Sequence, residues 1–388
     1  MAKEKYNKKE ILAAWGFLTP NLIGFLVFTL IPVVFSMIMA FTNWNIFTEP
    51  KFIGIENFVN LLGFHNEDGK TVPNDPFFWQ YLYNTVYLLI GLPLGIAGAL
   101  ICALVMNQKL KGITFFRLIY FLPTVSGGVA LLILWKYMFN HEIGLINQFL
   151  RGCGEVLYSN PIIGFITTAF FTLIWGIFLV CCAACVVYFI KWILDKCKTD
   201  IPEHVWTKIM FVIGAALFIF LCCKGNVCNN VIKSFFIEPP DWLGTVAWAK
   251  PSMIIMGFWG AIGGTNMILY LAALSGVSPS LYEAAEIDGA NGWKKFWSIT
   301  WPMISPTTFF IFVMGVIGGL QTGFTNAKVM TNGGPAGSTT TVEFYLYNTA
   351  FQNFNMGYAS AIAWFMFVII LILTLITWKV GGSVVTYE

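Results

Sequence analysis

EAAEIDGANGWKKFWSITWP, residues 283–302, is a polar stretch between two strongly apolar runs near the end of the chain. It contains a short acidic segment, a glycine, two lysines and a final proline. The apolar runs on either side are each long enough to cross a bilayer, which takes about 20 mostly apolar residues. The stretch is therefore predicted to connect two membrane spans and to lie at the membrane surface.

The composition of the whole chain is typical of a membrane protein. Of the 388 residues, 57% are hydrophobic and only 11% are charged. A soluble protein of this length carries much more charge on its exterior. The net charge of +3 is too small to indicate binding to nucleic acid. The composition therefore argues against a large soluble enzyme.

About eight apolar runs are long enough, or nearly so, to span a membrane as helices; they lie at about 11–41, 81–106, 117–139, 161–193, 205–223, 248–275, 303–322 and 357–379. The first is too long for a signal peptide, and no small-residue cleavage site follows it. If the N-terminus is placed in the cytoplasm, the connections on the cytoplasmic side have a higher density of Lys and Arg than those on the outer side. We therefore predict an all-α polytopic membrane helix bundle whose N- and C-termini are both cytoplasmic.

Charged and metal-binding groups are missing from the middle of the predicted spans. No Asp or Glu lies there, which argues against a proton- or sodium-driven carrier with a carboxylate at mid-membrane. The segment FHNEDGKT, 64–71, ends like a phosphate-binding loop, but Phe64 stands where that pattern needs glycine. If transport is active, the energy must therefore come from another chain, and no cofactor is predicted.

The cysteines do not predict a metal site. Cys181, Cys182 and Cys185 have a metal-like spacing, but they lie in an apolar run without a nearby His or acidic residue. A cysteine in such a run behaves as a small hydrophobic residue. A disulfide between Cys153 and Cys228, outside the membrane, is a minority alternative.

The opening stretch predicts two short helices joined at a glycine. Ser278 begins a helix-start signal in which Glu283 is available as a capping-box partner. Gly289 permits a left-handed turn that other residues resist. A second short amphipathic helix begins near Trp293, and Pro302 starts the next span. Two short helices joined in this way form a knob at the membrane surface. The knob would either push on a neighbouring protein or anchor two spans at the membrane interface.

The residue pattern of the knob favours the first of these two roles. The pattern consists of Glu283, Ala284, Ala285, Asp288, Gly289, Ala290, Phe296, Ile299, Pro302 and Pro306. It closely resembles the EAA signature of importer permeases of the ATP-binding cassette (ABC) class, whose coupling helix docks into a cleft on the ATPase subunit. The resemblance implies that Glu283 contacts the ATPase, that Gly289 holds the turn, and that Phe296 and Ile299 fix the knob to the bundle.

Further motifs extend the resemblance over most of the chain: residues 52–58, 120–123, 144–147, 331–335 and 357–359. Together they resemble the maltose-type carbohydrate permeases. The resemblance implies a type I importer core of about six helices in a bacterial plasma membrane. It also implies three kinds of partner: a second permease, a cytosolic ATPase dimer and an extracytoplasmic solute-binding protein. The substrate would be a sugar or oligosaccharide.

The chain departs from the family pattern by an insertion. In the family, the motif at 144–147 is soon followed by a segment like Asp241-Trp242-Leu243, whereas here many residues intervene. We predict four segments. Residues 1–80 form an N-terminal span and outer loop, and 81–152 form the first part of the core. Residues 153–240 form an inserted two-span hairpin, and 241–380 form the second part of the core with the coupling loop 276–302. Two extra spans leave the coupling loop in the cytoplasm.

A sugar path needs amides, hydroxyls and aromatic rings at mid-depth. The sixth and seventh spans offer such groups, and the resemblance implies that sugar contacts come from these spans: Phe258, Trp259, Thr265, Asn266, Tyr270, Gln321 and Thr322. Alternatively, the same polar groups hold helices together, helped by close approach at Gly260-x-x-x-Gly264 and Gly315-x-x-x-Gly319.

Two other functions remain open from the sequence. A permease of the same superfamily for a non-sugar solute would share the EAA pattern, because that pattern occurs across solutes. A membrane-embedded transferase would need a cluster of His, Asp or Glu facing the membrane surface, and the sequence shows none. The outer-loop motifs favour a sugar importer subunit that is not itself an enzyme.

Overall fold

The computed structural model describes residues 8–108, 111–125, 128–160, 162, 164, 166, 170 and 234–381. In chain order, the elements are α1 (Lys8–Phe25), α2 (Ile31–Met39), β1 (Thr42–Asn43), β2 (Lys51–Phe52), α3 (Glu56–Leu62), β3 (Phe64–Glu67), β4 (Lys70–Pro73), α4 (Pro76–Leu88), α5 (Gly91–Met106), α6 (Ile113–Val125), α7 (Gly128–Met138), α8 (Leu145–Tyr158), α9 (Val246–Ile262), α10 (Thr265–Ser275), α11 (Pro279–Ile287), α12 (Gly292–Lys295), α13 (Trp301–Gln321), α14 (Phe324–Met330), α15 (Val342–Tyr347) and α16 (Met356–Gly381). Short π-helical turns occupy Leu26–Leu30, Phe296–Thr300 and Asn348–Gln352. The chain forms two compact units, one of residues 1–135 with 246–388 and the other of Lys136–Thr245.

The predicted all-α membrane fold is confirmed. Helices long and apolar enough to cross a membrane occur at Leu12–Met39, Pro76–Met106, Val246–Ser275, Gly292–Gln321 and Met356–Lys379. They match five of the predicted spans. Within the predicted span 117–139 the structure describes two shorter apolar helices, α6 and α7, and residues 126 and 127 between them lie outside the described residues, so this span stays a prediction. The predicted spans 161–193 and 205–223 lie outside the described residues, apart from a few isolated positions.

Apolar clusters hold the first unit together, and two of them are described here. In the larger, Ala99 and Ala103 on α5 are completely buried, and their small side chains let α10 approach closely. The other members are Leu100, Cys102, Met106, Met267, Tyr270, Leu274, Ile304 and Ile311. The second cluster joins α3, α4, α15 and α16 through Leu61, Phe78, Val342, Ile362 and Met366. The clusters therefore tie the membrane helices together as well as the segments between them.

The glycines of α13 pack closely against a neighbouring element, as predicted. A Cβ built at Gly315 would lie 2.3 Å from Leu92 Cδ1, and one built at Gly319 would lie 2.5 Å from Leu89 Cδ2. Only glycine leaves room for these leucine side chains in their observed positions. The pair therefore serves close helix packing.

The other glycine pair behaves differently. A Cβ at Gly260 would meet no atom within 4 Å, so the prediction that Gly260 supports close packing is wrong. The close approach lies at Gly263, where a Cβ would be 2.3 Å from the backbone oxygen of Tyr120. Gly263 and Gly264 also separate α9 from α10, so this span is broken near its middle. The close contact with α6 is thus made at the break.

A buried carboxylate joins three elements at the end of the first unit opposite the 276–302 connection. Asp75 Oδ1 accepts a hydrogen bond from the backbone N–H of Phe78 at 2.9 Å. Its Oδ2 accepts from the hydroxyls of Tyr345 at 2.8 Å and Tyr358 at 2.6 Å. Burial, and then the hydrogen bond to Asp75, raise the pKa of Tyr345, so this phenol stays protonated and donates. Asp75 therefore fixes α15 and α16 against the start of α4.

The segment 64–71 is a β-hairpin and not a phosphate-binding loop. Strands β3 and β4 pair antiparallel, with Phe64 opposite Pro73 and Glu67 opposite Lys70. Asp68 and Gly69 form the turn with φ of 49° and 76°. A phosphate-binding loop joins a strand to a helix. The antiparallel hairpin therefore agrees with the interpretation of this segment from its sequence.

The second unit contains a contact between the two ends of the predicted insertion. Trp242 Nε1 donates to Asn147 Oδ1 at 2.6 Å across 95 residues of chain. The side-chain amide of Asn147 donates in turn to the carbonyl of His141 at 3.0 Å. Most of the predicted hairpin 153–240 lies outside the described residues, and the domain division stays a prediction. Cys153 is described as a free thiol, while Cys228 lies outside.

Candidate functional site

The connection 276–302 forms a compact knob, which we define as residues 278–300. Its first arm, α11, begins after Ser278, whose hydroxyl lies 2.8 Å from the Ser280 hydroxyl and makes no hydrogen bond to the helix backbone. The predicted capping box with Glu283 is therefore wrong, because the Ser278 hydroxyl is directed toward Ser280. Pro279 at the first helical position needs no partner for its nitrogen.

The turn at the end of α11 requires glycine. Gly289 has φ of 72°, in the left-handed region. The N–H of Ala290 donates to the carbonyl of Ala285 at 2.8 Å, and the N–H of Gly289 donates to that of Glu286 at 3.0 Å. These two bonds form a Schellman motif, which satisfies carbonyls at a helix end. The predicted glycine turn is confirmed.

The second arm of the knob continues directly into the membrane helix. Asn291 Oδ1 accepts from the N–H of Lys294 at 2.9 Å and so caps α12. The helix then runs without interruption from Gly292 to Gln321. The prediction of a separate second helix that ends before Pro302 is wrong. A π-helical turn at Phe296–Thr300 widens the helix just before the proline, whose ring is then accepted in the first turn of α13.

Side-chain contacts tie the two arms to each other and to the core. Lys295 Nζ donates to Glu286 Oε1 at 2.7 Å, and this bond lowers the pKa of Glu286. The hydroxyls of Tyr282 and Thr300 are hydrogen-bonded at 2.9 Å. Phe296 packs against the larger apolar cluster. These contacts fix the shape of the knob and its position relative to α13.

The tip of the knob is open to its surroundings. Glu283, Ala284, Asp288 and Gly289 are exposed, whereas Ala285, Ile299 and Pro302 are half-buried. Two large apolar side chains also project at the tip: Ile287 is 88% exposed and Trp293 is 72% exposed. Ile287 was not among the predicted site residues, although an apolar residue between Glu286 and Asp288 in an exposed helix was a usable signal. The tip therefore combines carboxylates with apolar contact area.

A cavity of about 250 Å³ lies among the membrane helices of the first unit. Its lining residues are Leu88, Leu89, Gly91, Leu92, Gly95, Ile96, Met253, Ile254, Gly257, Ala261, Asn266, Gly315, Gly319, Thr322, Gly323 and Asn326. Two predicted path residues, Asn266 and Thr322, are among them. Asn326 adds a second amide that was not predicted from the sequence, although it follows Thr322 by only one helical turn. The cavity is thus mostly apolar with a few polar groups, as ligand sites usually are.

The remaining predicted path residues lie elsewhere. Phe258, Trp259, Thr265 and Gln321 are exposed on the surface of the unit. Tyr270 is 0% exposed and belongs to the larger apolar cluster. The structure therefore brings together only part of the predicted set at the cavity.

The helix break places Asn266 at the cavity. Asn266 lies in the first turn of α10, which begins directly after Gly263 and Gly264. Broken membrane helices in transporters provide substrate contacts near mid-membrane, because backbone groups at the break are free for other partners. The break, the cavity and the amide of Asn266 therefore coincide.

Comparisons with known proteins agree with this architecture. Residues 91–378 match the family described as binding-protein-dependent transport system inner membrane component. The chain is 31% identical to a probable ABC transporter permease protein, YesP, of Bacillus subtilis (strain 168), over 100% of this chain and 96% of that protein. It is 30% identical to the lactose transport system permease protein LacF of Rhizobium radiobacter, over 93% and 91% of the two chains.

The fold is also similar to that of a solved structure. A chain of a bacterial ABC transporter involved in the import of the acidic polysaccharide alginate superposes with a TM-score of 0.65. The match covers 97% of this chain and 98% of that chain at 20% sequence identity. At this identity, the similarity concerns the fold alone.

Proposed function

Because the chain belongs to the family of binding-protein-dependent transport system inner membrane components, we propose that it forms part of the path for a sugar or oligosaccharide in an ATP-driven importer. It is a transport subunit of the bacterial plasma membrane. The observation that carries the proposal is the knob, which is rigid, exposed at its tip and continuous with a membrane helix. That geometry suits a part that receives a push from a cytosolic partner.

We assign the knob to docking on a separate ATPase subunit. Exposed Glu283 and Asp288 would make polar contacts in the ATPase cleft, and Ile287 with Trp293 would fill its apolar part. Ala284 has a small side chain that permits close approach. An ATPase dimer would bring this knob and that of a second permease together as it closes. The bundle would then alternate between outward-facing and inward-facing states, with both termini in the cytoplasm.

A sugar is the favoured substrate for two reasons. The relatives include permeases named for lactose and for multiple sugars, the latter from Streptococcus mutans. The cavity also offers Asn266, Thr322 and Asn326 as hydrogen-bonding groups in a mostly apolar lining. An extracytoplasmic binding protein would deliver the sugar to the end of the bundle opposite the knob.

Reconstitution with partners tests the proposed function. We would copurify the tagged chain from its own host, identify the ATPase and second permease, and place the complex in liposomes with the binding protein. Sugar uptake that requires ATP is the expected result. Sugar uptake by this chain without an ATPase would contradict the proposal. ATP-dependent uptake of amino acids, phosphate or metal in place of sugar would select the non-sugar alternative.

Replacing Asn266 with alanine is expected to lower sugar uptake by about two- to tenfold, because a lost hydrogen bond to a polar substrate costs roughly 0.5–1.5 kcal/mol. Initial uptake rates in the reconstituted importer give the measurement, and Gln321→Ala is measured beside it. Asn107→Ala is the control, since Asn107 caps the opposite end of α5 and does not line the cavity. Unchanged uptake by both Asn266→Ala and Gln321→Ala would remove the predicted path.

A further inference from the structure

The π turn of the knob, Phe296–Thr300, is bonded to α11 at both of its ends. Just before the turn, Lys295 Nζ donates to Glu286 Oε1 at 2.7 Å. At the last residue of the turn, the hydroxyl of Thr300 lies 2.9 Å from that of Tyr282. Thr300 is buried and Lys295 is half-buried. The two bonds therefore bracket the π turn along the chain.

The two bonding residues of α11 share one face of that helix. Tyr282 and Glu286 are four residues apart, which places their side chains next to each other on an α-helix. Their partners, Lys295 and Thr300, are five residues apart, and on a regular α-helix such a pair points in directions about 140° apart. A regular α-helix would therefore turn one of these two side chains away from α11.

The π turn removes this mismatch. The N–H of Trp301 donates to the carbonyl of Phe296, five residues back, so the turn contains an extra residue. The extra residue brings side chains that are five apart toward the same face. A second pair shows the same effect, since Phe296 and Trp301 both pack against the larger apolar cluster. The π turn thus presents Lys295 and Thr300 to α11 together.

The bonded face of α11 adjoins the residue that we assign to the ATPase. Glu283 is exposed at the tip, whereas the neighbouring Tyr282 is half-buried and directed to Thr300. A displacement imposed on Glu283 therefore enters α11 within one helical turn of both bonds to the π turn. From there it reaches the start of α13 through Thr300, which directly precedes that helix.

We propose that Tyr282 and Glu286 are positioning residues for transport, because they limit the bending of the π turn when the knob is displaced. This inference rests on the proposed importer function. Sharp bends in helices occur at π turns, so the segment between the two bonds is where α13 yields to force. With both bonds intact, α11 and the start of α13 would move together. With either bond broken, the turn would bend further, and more of the displacement would be lost before it reached the bundle.

Sugar uptake per ATP hydrolysed, in the reconstituted importer, tests this role. Tyr282→Phe removes only the hydroxyl that meets Thr300, and Glu286→Lys replaces attraction to Lys295 with repulsion. Each variant is expected to lower uptake per ATP by about two- to tenfold, since a lost hydrogen bond shifts a conformational equilibrium by roughly that factor. The rate of ATP hydrolysis and the amount of copurified ATPase should stay near those of the unaltered importer.

Two controls separate this role from a general effect on the fold. Tyr137→Phe makes the same chemical change at an exposed tyrosine on α7 and should leave uptake per ATP unchanged. Exchanging the charges, Glu286→Lys together with Lys295→Glu, should restore most of the uptake per ATP that Glu286→Lys alone loses. A Glu286 that served only as an ATPase contact would not be rescued by a change at Lys295.

Unchanged uptake per ATP in both Tyr282→Phe and Glu286→Lys would overturn the inference and leave the importer function standing. Loss of the copurified ATPase from these variants would also overturn it, since that result places the two residues in the docking contact. If Tyr282→Phe does not accumulate, Glu286→Lys and the charge exchange still give the test, because Glu286 is exposed. An unaltered importer without ATP-dependent uptake would contradict the proposed function itself.

Discussion

Uptake is expected to fall to background when Gly289 is replaced by aspartate, while the protein remains in the membrane at its normal level. Gly289 has φ of 72°, and a Cβ there meets no atom within 4 Å. The substitution therefore costs only about 1 kcal/mol of backbone strain and causes no clash. It adds a carboxylate to an exposed tip that already carries Asp288 and Glu283. The added charge and changed turn would prevent docking on the ATPase.

A second glycine gives a matched control for this variant. Gly112 has φ of 78°, is exposed and would likewise have open space around an added Cβ. Gly112→Asp makes the same chemical change at similar strain but outside the knob, and it should leave uptake nearly intact. Membrane amount, copurification with the ATPase and uptake would be measured for both variants. Full uptake by Gly289→Asp would contradict the docking role of the knob.

Replacing Gly263 with alanine is expected to reduce strongly the amount of folded protein. The new Cβ would lie 2.3 Å from the backbone oxygen of Tyr120 and 3.1 Å from its Cβ. Backbone atoms of a packed helix cannot move aside as a side-chain tip can. Such overpacking costs roughly 1–3 kcal/mol or more, which is a large part of the stability of a typical domain.

Gly260→Ala is the control, since Gly260 lies on the adjoining helix α9 and an added Cβ there would meet nothing within 4 Å. Alanine also favours a helix by about 1 kcal/mol over glycine, so this variant should be neutral or slightly stabilised. Thermal unfolding of the detergent-purified proteins and their membrane amounts give the comparison. Equal stability of the two variants would show that α6 and the break after α9 do not meet at Gly263.

The sequence could predict the features that depend on local pattern. The spans follow from long apolar runs, and the turn of the knob follows from Gly289, because few other residues adopt a left-handed conformation. The uninterrupted helix through Pro302 could not be predicted in the same way. A proline in the first turn is compatible both with a new helix and with a helix that a π turn has already widened.

Features that depend on distant contacts were beyond the sequence. The sequence around Asp75 does not indicate its hydrogen-bond partners, since Tyr345 and Tyr358 lie 270 and 283 residues away. Chemical type and depth along a span indicate candidate path residues, but not the direction in which each side chain points. In helices α9 and α13 the apolar residues are spread around the helix with no clear polar face, so periodicity could not show which faces meet. Asn266 was therefore identified, while Asn326 was missed and Tyr270 proved to be core.

The unbroken helix from Gly292 to Gln321 has a mechanical consequence. Its 30 residues make a rod about 45 Å long, with one end at the tip of the knob and the other near Thr322. Because the helix is continuous, a tilt imposed at Trp293 would be carried along it toward Gln321. Its π turn, close to the tip, is where part of that tilt would be absorbed.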